Sequence, residues 1–231
     1  MSAGDDSASP VKRARYVAII MDGNARWATQ RDLPVLEGHR EGAQTLKQTV
    51  KDAVKHEIKE LTVYAFSTEN WSRPADEVNG LMAMFAELIR SETPELKEQG
   101  VQMRFIGRRE GLSADLRERM EWATGETADN SRMVLYVAFN YGGRAELLDA
   151  ARRFEGDTEE EFAALLYAPE MTDPDLVIRT SGEHRLSNYL LWQTAYSELH
   201  FTDVLWPDFN EDALVAALTE YETRGRRFGA R

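Results

Sequence analysis

Six short runs of apolar and β-branched residues recur along the chain, and between them the apolar positions change to helical spacing. The first run, YVAIIM at 16–21, predicts a buried central strand. After it, Ala43, Leu46, Val50 and Val54 fall close to the period of an amphipathic helix over 38–58. Further strands are predicted at 61–66 (LTVYAF), 101–107 (VQMRFIG), 133–140 (MVLYVAFN) and 175–180 (DLVIRT), with a sixth inside SELHFTDVLWP. Intervening helices are predicted from Ser113 through Leu116, Met120 and Ala123, within YGGRAELLDAARRF, and briefly over 157–168. Asn210 caps a last helix that carries Glu211 and Asp212 in its first turn. One helix has an unusually wide apolar face, made by Val78, Leu81, Met82, Phe85, Leu88 and Ile89. Periodicity alone allows that face to be core or the wall of a hydrocarbon tunnel.

Strands alternating with helices at this spacing predict an α/β fold with a central, mostly parallel six-stranded sheet flanked by helices. No repeat or linker interrupts the alternation, so residues 16–231 read as one domain and 1–15 as a flexible polar tail. With 231 residues and 42% hydrophobic content the chain can bury a sizeable core. The formal charge of -12 argues against nucleic acid as a partner, because no basic field is available to displace counterions. A local anion site is still compatible with it. The chain has no cysteine, which removes disulfides and thiolate chemistry and fits a reducing cytosol. There is no apolar run of membrane-spanning length and no signal-peptide core, so a cytoplasmic protein is expected, with peripheral membrane contact reserved for meeting a lipid.

Ligands of open α/β sheets sit beyond the carboxyl ends of the strands. Here those ends carry DGNAR, STENWSR, NYGGR and RTSGEHRLSN, so four polar loops converge on one edge. In the first, Gly23 and Asn24 suit a tight turn, Arg26 suits a diphosphate, and Asp22 suits Mg²⁺, a hard oxygen-seeking cation. An ordinary Asp-Gly-Asn turn beside a surface arginine reads the same way. His39 could donate to phosphate or make a helix-start contact. Ser67 and Asn70 could orient a reacting group, and Trp71 could shield it or serve as a packing anchor; Arg73 could simply end the loop before Pro74. Arg179, Arg185 and Ser187 gather anion donors in one short passage, although surface ion pairs with Glu183 and a helix cap are alternatives. Glu198 could hold Mg²⁺ or orient a donor. There is no GxxxxGK[ST], so a nucleotide P-loop is not supported.

Taken in order, MDGNARW, GHREG, YAFSTENWSRP, NYGGRAE, PDLVIRTSGEHRLSNYLLWQTAYSEL, WPDF and RRFG resemble the cis-prenyltransferase family, the undecaprenyl diphosphate synthase-like isoprenyl diphosphate synthases. The resemblance runs from about Val17 to Gly229. It implies the undecaprenyl diphosphate synthase-like fold with a hydrophobic cleft, a homodimer, and Mg²⁺-dependent condensation of isopentenyl diphosphate with an allylic prenyl diphosphate in cis geometry. By resemblance, Asp22 serves Mg²⁺ and diphosphate departure. Gly23, Asn24, Arg26, Trp27 and His39 belong to the allylic site, and Ser67 and Asn70 lie near proton removal, with Trp71 and Arg73 organising their loop. Arg179, Arg185 and Ser187 take isopentenyl diphosphate, Glu198 is associated with Mg²⁺ and the dimer region, and Arg227 and Gly229 act across the dimer interface. The proton acceptor is either the released diphosphate or a relay through Asn70 and Ser67.

Four departures accompany the resemblance. Val35 stands where an arginine is usual, so a phosphate donor is absent or supplied by Arg31 or Arg40. Ala25 replaces a glycine, Arg108 stands where aspartate is frequent, and the passage between Asn140 and Arg179 is short. The small Ala65, at a position where bulk goes with shorter products, implies a long chain. Irregular coupling of prenyl diphosphates and a noncatalytic partner subunit are the alternative functions.

Overall fold

A computed structural model of the chain describes residues 13–224; most of the expected tail, together with Arg227 and Gly229, lies outside the described residues. The chain begins with β1 (Tyr16–Ile20), α1 (Asn24–Thr29), α2 (Val35–Lys55) and β2 (Glu60–Ser67). A 3-10 turn at Thr68–Ser72 leads into α3 (Ala75–Glu98). The alternation continues through β3 (Val101–Ile106), α4 (Ala114–Glu126), β4 (Met133–Tyr141), α5 (Gly143–Ala151) and α6 (Glu159–Ala163). It closes with β5 (Leu176–Arg179), β6 (Glu198–Phe201) and α7 (Glu211–Thr223).

The six strands lie in the order β3-β4-β2-β1-β5-β6. Every neighbouring pair is parallel, where the alternation predicted a mostly parallel sheet. Parallel pairing requires crossovers that cover both faces, which is why these strands read as continuous apolar runs. Successive residues of β1 divide between the faces: Val17 and Ile19 join one buried cluster, Ala18 and Ile20 the other. From β1 the chain crosses to β2 on one side, and from β5 it crosses to β6 on the other. The β1–β5 boundary is therefore a topological switch point, where loops diverge and leave a crevice.

Three elements differ from the periodicity. Residues 24–29 form a helix where a turn was expected; six residues are too few to show a period. Helix α2 starts at Val35, three residues early, because Pro34 at its N-cap has φ -57, already set for helix entry. Helix α3 continues through Pro94 to Glu98, with the Thr93 hydroxyl donating back to the Ile89 carbonyl.

On one face the core does not close between α2, α3 and the sheet. A cleft of about 1000 Å³ runs there, lined by Leu46 and Val50 of α2, Leu81 and Phe85 of α3, and Val137 and Phe139 of β4. The wide apolar face of α3 is thus shared. Leu81, Phe85, Leu88 and Ile89 line the cleft, while Val78 is buried and Met82 packs against the core.

Candidate active site

The cleft opens at the carboxyl ends of β1, β2 and β5. Asp22 follows β1 and its backbone is fixed on both sides. Its N–H donates to Thr180 Oγ1 at 2.9 Å, and its carbonyl accepts from Thr180 Oγ1 at 2.6 Å and from Trp206 N–H at 3.0 Å. Gly23 then turns with φ +112, and a Cβ there would stand 3.0 Å from Leu205 Cδ2, so glycine is required. This turn starts α1 at once and puts Asn24 and Arg26 on its first turn. The Arg26 guanidinium donates to the Ser181 carbonyl at 2.8 Å and lies 3.4 Å from Glu183 Oε1.

Arg179, the last residue of β5, is 3% exposed and joins two loops. Its Nη2 donates to Asp22 Oδ2 at 2.8 Å, and its Nη1 donates to Ser187 Oγ at 2.7 Å and to the Arg185 carbonyl. A buried guanidinium held by a carboxylate on one side and a hydroxyl on the other is a fixed positive centre with defined directions. Its Nε has no partner. The loop that supplies Ser187 has left-handed backbone at four non-glycine residues, Ser181, Ser187, Asn188 and Leu190. Such conformations persist only where the surroundings impose them, and they gather at ligand sites.

The third wall follows β2. Ser67 and Asn70 cap one another around the 3-10 turn, with the Ser67 N–H donating to Asn70 Oδ1 at 3.0 Å and the Asn70 N–H donating to the Ser67 hydroxyl. Both residues line the cleft. Glu69 crosses to the β5 loop, accepting from Asn188 Nδ2 at 2.8 Å. Arg73 lines the mouth and pairs with Glu77 at 2.9 Å. His39 lines it from α2, and its Nε2 is buried without a partner. Burial, aided by the Arg73 charge and opposed by Glu77, lowers its pKa to about 4, so the ring is neutral at pH 7.

The structure therefore brings together Asp22, Gly23, Asn24, Arg26, His39, Ser67, Asn70, Arg73, Arg179 and Ser187. The other expected residues stand apart from the cleft lining. The Trp27 indole N–H donates to Asp208 Oδ1 at 2.7 Å, and that of Trp71 donates to Asn140 Oδ1 at 2.7 Å while its ring packs edge-on against Phe66. Trp71 is thus a packing anchor. Arg185 is exposed and pairs with Glu183. Glu198 sits at the amino end of β6, bonded to Arg224 at 3.0 Å, not at the strand ends that carry Asp22.

Val35 lines the cleft, but neither suggested substitute does. Arg31 lies over the Trp27 ring and pairs with Asp208, and Arg40 pairs with Glu37. Arg108 is held in a bidentate pair with Asp149, both bonds 2.8 Å, and so fastens the β3 end to α5.

Sequence reasoning missed Thr180 and Glu77 and gave Glu69 no role and Asn188 only a capping one; all four position the loops. It also missed Asn140, with φ 50, whose amide Nδ2 donates to the carbonyls of Arg108 and Glu110. Left-handed asparagine at a strand end is a signal that a single sequence hides.

Among the described residues no group of three or more acidic, histidine or cysteine side chains gathers for a metal. The residues present still fit Mg²⁺, which is commonly bound by one or two carboxylates together with substrate phosphates rather than by a protein cage. Asp22 offers such a carboxylate: Arg179 engages Oδ2, and 37% of the side chain is exposed.

Residues 20–229 match the family described as "Putative undecaprenyl diphosphate synthase". The isoprenyl transferase of Caulobacter vibrioides is 50% identical, with 93% of this chain and 87% of that protein covered. The isoprenyl transferase of Thermotoga maritima is 48% identical, covering 93% and 96%. Among solved structures, lavandulyl diphosphate synthase from Lavandula x intermedia, in complex with dimethylallyl diphosphate, superposes with a TM-score of 0.91 at 36% identity. That match covers 94% of this chain and 99% of the other.

Proposed function

The chain belongs to the cis-prenyltransferase family and is a prenyl-transferring enzyme; from that premise we propose that it condenses isopentenyl diphosphate with an allylic prenyl diphosphate, releasing diphosphate and leaving a cis double bond. The observation that carries this reading is Arg179, which joins Asp22 to Ser187 at the mouth of an apolar cleft. Two polar half-sites share one buried cation there, and the apolar cleft gives hydrocarbon a place to go.

The allylic diphosphate lies at Asp22, Gly23, Asn24 and Arg26, with neutral His39 able to offer it a hydrogen bond. Asp22 is the residue that would hold Mg²⁺, which supplies Lewis-acid stabilisation of the leaving diphosphate. Arg26 stands beside the charge that grows there as the allylic carbon becomes cation-like, and Arg179 spans the gap to the second diphosphate at Ser187. The electron pair of the isopentenyl double bond forms the new carbon–carbon bond, and loss of a proton restores an alkene. The oxygens of Ser67 and Asn70 already accept backbone hydrogen bonds, which favours the departing diphosphate as proton acceptor. The apolar walls exclude water that would trap the electrophile.

We read residues 16–231 as one catalytic domain that works as a homodimer, as the resemblance implies, with Glu198, Arg227 and Gly229 serving the dimer region. Among the described residues no helix is long and apolar enough to cross a membrane; release of the product by peripheral contact with a membrane surface is consistent with that. Purified protein given Mg²⁺, isopentenyl diphosphate and allylic diphosphates of increasing length should yield products with new cis double bonds, identified by mass spectrometry and NMR. A folded protein that turns over no pairing, or makes only trans bonds, would refute the proposal. An arm with allylic diphosphate alone tests irregular coupling, which is favoured by Val35 lining the mouth while Arg31 and Arg40 pair elsewhere.

A further inference from the structure

Among the described residues, three of the four loops at the sheet edge put side chains on the cleft wall, whereas the NYGGR loop after β4 puts none there. Its bonds lead elsewhere. Helix α5 follows Gly142, an N-cap without a side chain, so its first N–H groups need acceptors from outside the helix. Asn188 of the β5 loop supplies them. The Gly143 N–H donates to the Asn188 carbonyl at 2.7 Å, and the Arg144 N–H donates to Asn188 Oδ1 at 2.8 Å. The other end of the same amide, Nδ2, donates to Glu69 of the β2 loop at 2.8 Å. The fit is close enough to require glycine. A Cβ on Gly142 would stand 2.5 Å from Thr68 Oγ1 and 2.9 Å from Asn188 Nδ2, and one on Gly143 would stand 2.7 Å from Leu191 Cγ.

We propose that Asn188 is a positioning residue of the second diphosphate half-site: by capping α5 it holds Ser187 in the one backbone conformation that sets its hydroxyl on Arg179. The inference rests on the prenyl-transfer reading, in which Ser187 meets isopentenyl diphosphate, and deepens it by giving the NYGGR loop its work. Ser187 and Asn188 are consecutive left-handed residues, with φ 49 and 63. Asparagine enters that region readily and serine does not, so the strain at Ser187 persists only because its surroundings impose it. Asn188 is tied at three points to the loops after β2 and β4. On its other side Tyr189 is fully buried, with its ring stacked on Tyr64 at 4.4 Å. Between these anchors and the 2.7 Å bond from Arg179 Nη1, the Ser187 hydroxyl has a fixed place before substrate arrives. Both ends of the Asn188 amide are engaged by protein, so its influence on the diphosphate passes through Ser187.

The test separates the two substrates. In Asn188→Ala the KM for isopentenyl diphosphate should rise about tenfold or more, the scale of one misdirected charge-assisted hydrogen bond. The calorimetric affinity for unreactive farnesyl thiodiphosphate with Mg²⁺ should stay within about twofold of wild type, because the allylic half-site is built on other loops. Gly142→Ala keeps Asn188 and falls on extended backbone, φ -159, but its Cβ displaces the Asn188 amide. It should raise the same KM and spare the same affinity. Asn188→Gly, which keeps the left-handed freedom and loses the side-chain bonds, should fall between wild type and Asn188→Ala. An unmoved KM in Asn188→Ala and Gly142→Ala, or equal weakening of both substrates, would overturn the assignment; if Asn188→Ala does not fold, Gly142→Ala decides alone. Wild-type protein that turns over no pairing of allylic and isopentenyl diphosphates would instead refute the prenyl-transfer reading itself.

Discussion

The two ends of the cleft are built on opposite plans. At the mouth, loops carry the chemistry: backbone sits in left-handed conformations at Ser181, Ser187, Asn188 and Leu190, and a buried arginine pairs with an aspartate 157 positions away in sequence. At the deep end, regular helices and strands present side chains at their own periods, and the polar groups there satisfy one another. The difference separates the tasks. The mouth must hold charge in fixed directions while two substrates come and one leaves, whereas the deep end need only be dry.

The largest effect should come from the mouth. Asp22→Ala should lower kcat by about 10²–10³ while circular dichroism stays native, as for loss of a group that acts on transition-state charge; near-normal turnover would remove Asp22 from the mechanism. Next comes pH. The folded pKa of His39 lies at about 4, below its ordinary 6.5, so the neutral ring is the form the fold favours. Its contribution to stability is complete above pH 6.5 and is lost as pH falls towards 4, by about 3 kcal/mol in all. Urea midpoints at pH 7 and pH 4.5 should show this loss, and His39→Gln should remove that portion of the slope; an unchanged slope would mean that another group titrates.

A smaller contrast separates solid core from cleft wall. Leu61→Ala, at a fully buried position of β2, should cost about 3 kcal/mol by thermal or urea unfolding. Leu88→Ala, beside space that already exists, should cost about 2 kcal/mol less. Equal costs would mean that the cleft is closed in solution. The smallest change returns to the mouth. Val35→Arg should lower the apparent KM for the allylic diphosphate about tenfold, the scale of one charge-assisted hydrogen bond. No change would mean that Arg26 and Arg73 already saturate that substrate's needs.

Much of this was legible in the sequence, for identifiable reasons. The strands were, because parallel strands covered on both faces must be apolar throughout, as in YVAIIM and MVLYVAFN. The convergence of four loops followed from that reading. The pairing of β1 with β5 did not, since no local pattern records which strands are neighbours, and with it went the Asp22–Arg179 contact. The orientations of Trp27 and Trp71 were not legible for another reason. An indole beside a site can turn towards it or away, and here the ring N–H groups are drawn away by Asp208 and Asn140. Helix α3 passes through Pro94, with Thr93 and Leu96 buried on either side of it.

Asn140 has a further consequence for anyone rebuilding this entrance. Its single side chain accepts from Trp71 and donates to the backbone at Arg108 and Glu110. The segments after β2, β3 and β4 therefore make one interchangeable module rather than three. A graft that brings in a new 68–72 segment without its own matching asparagine and 108–110 partner would strand a buried amide, so chimeras of this family should be cut outside all three.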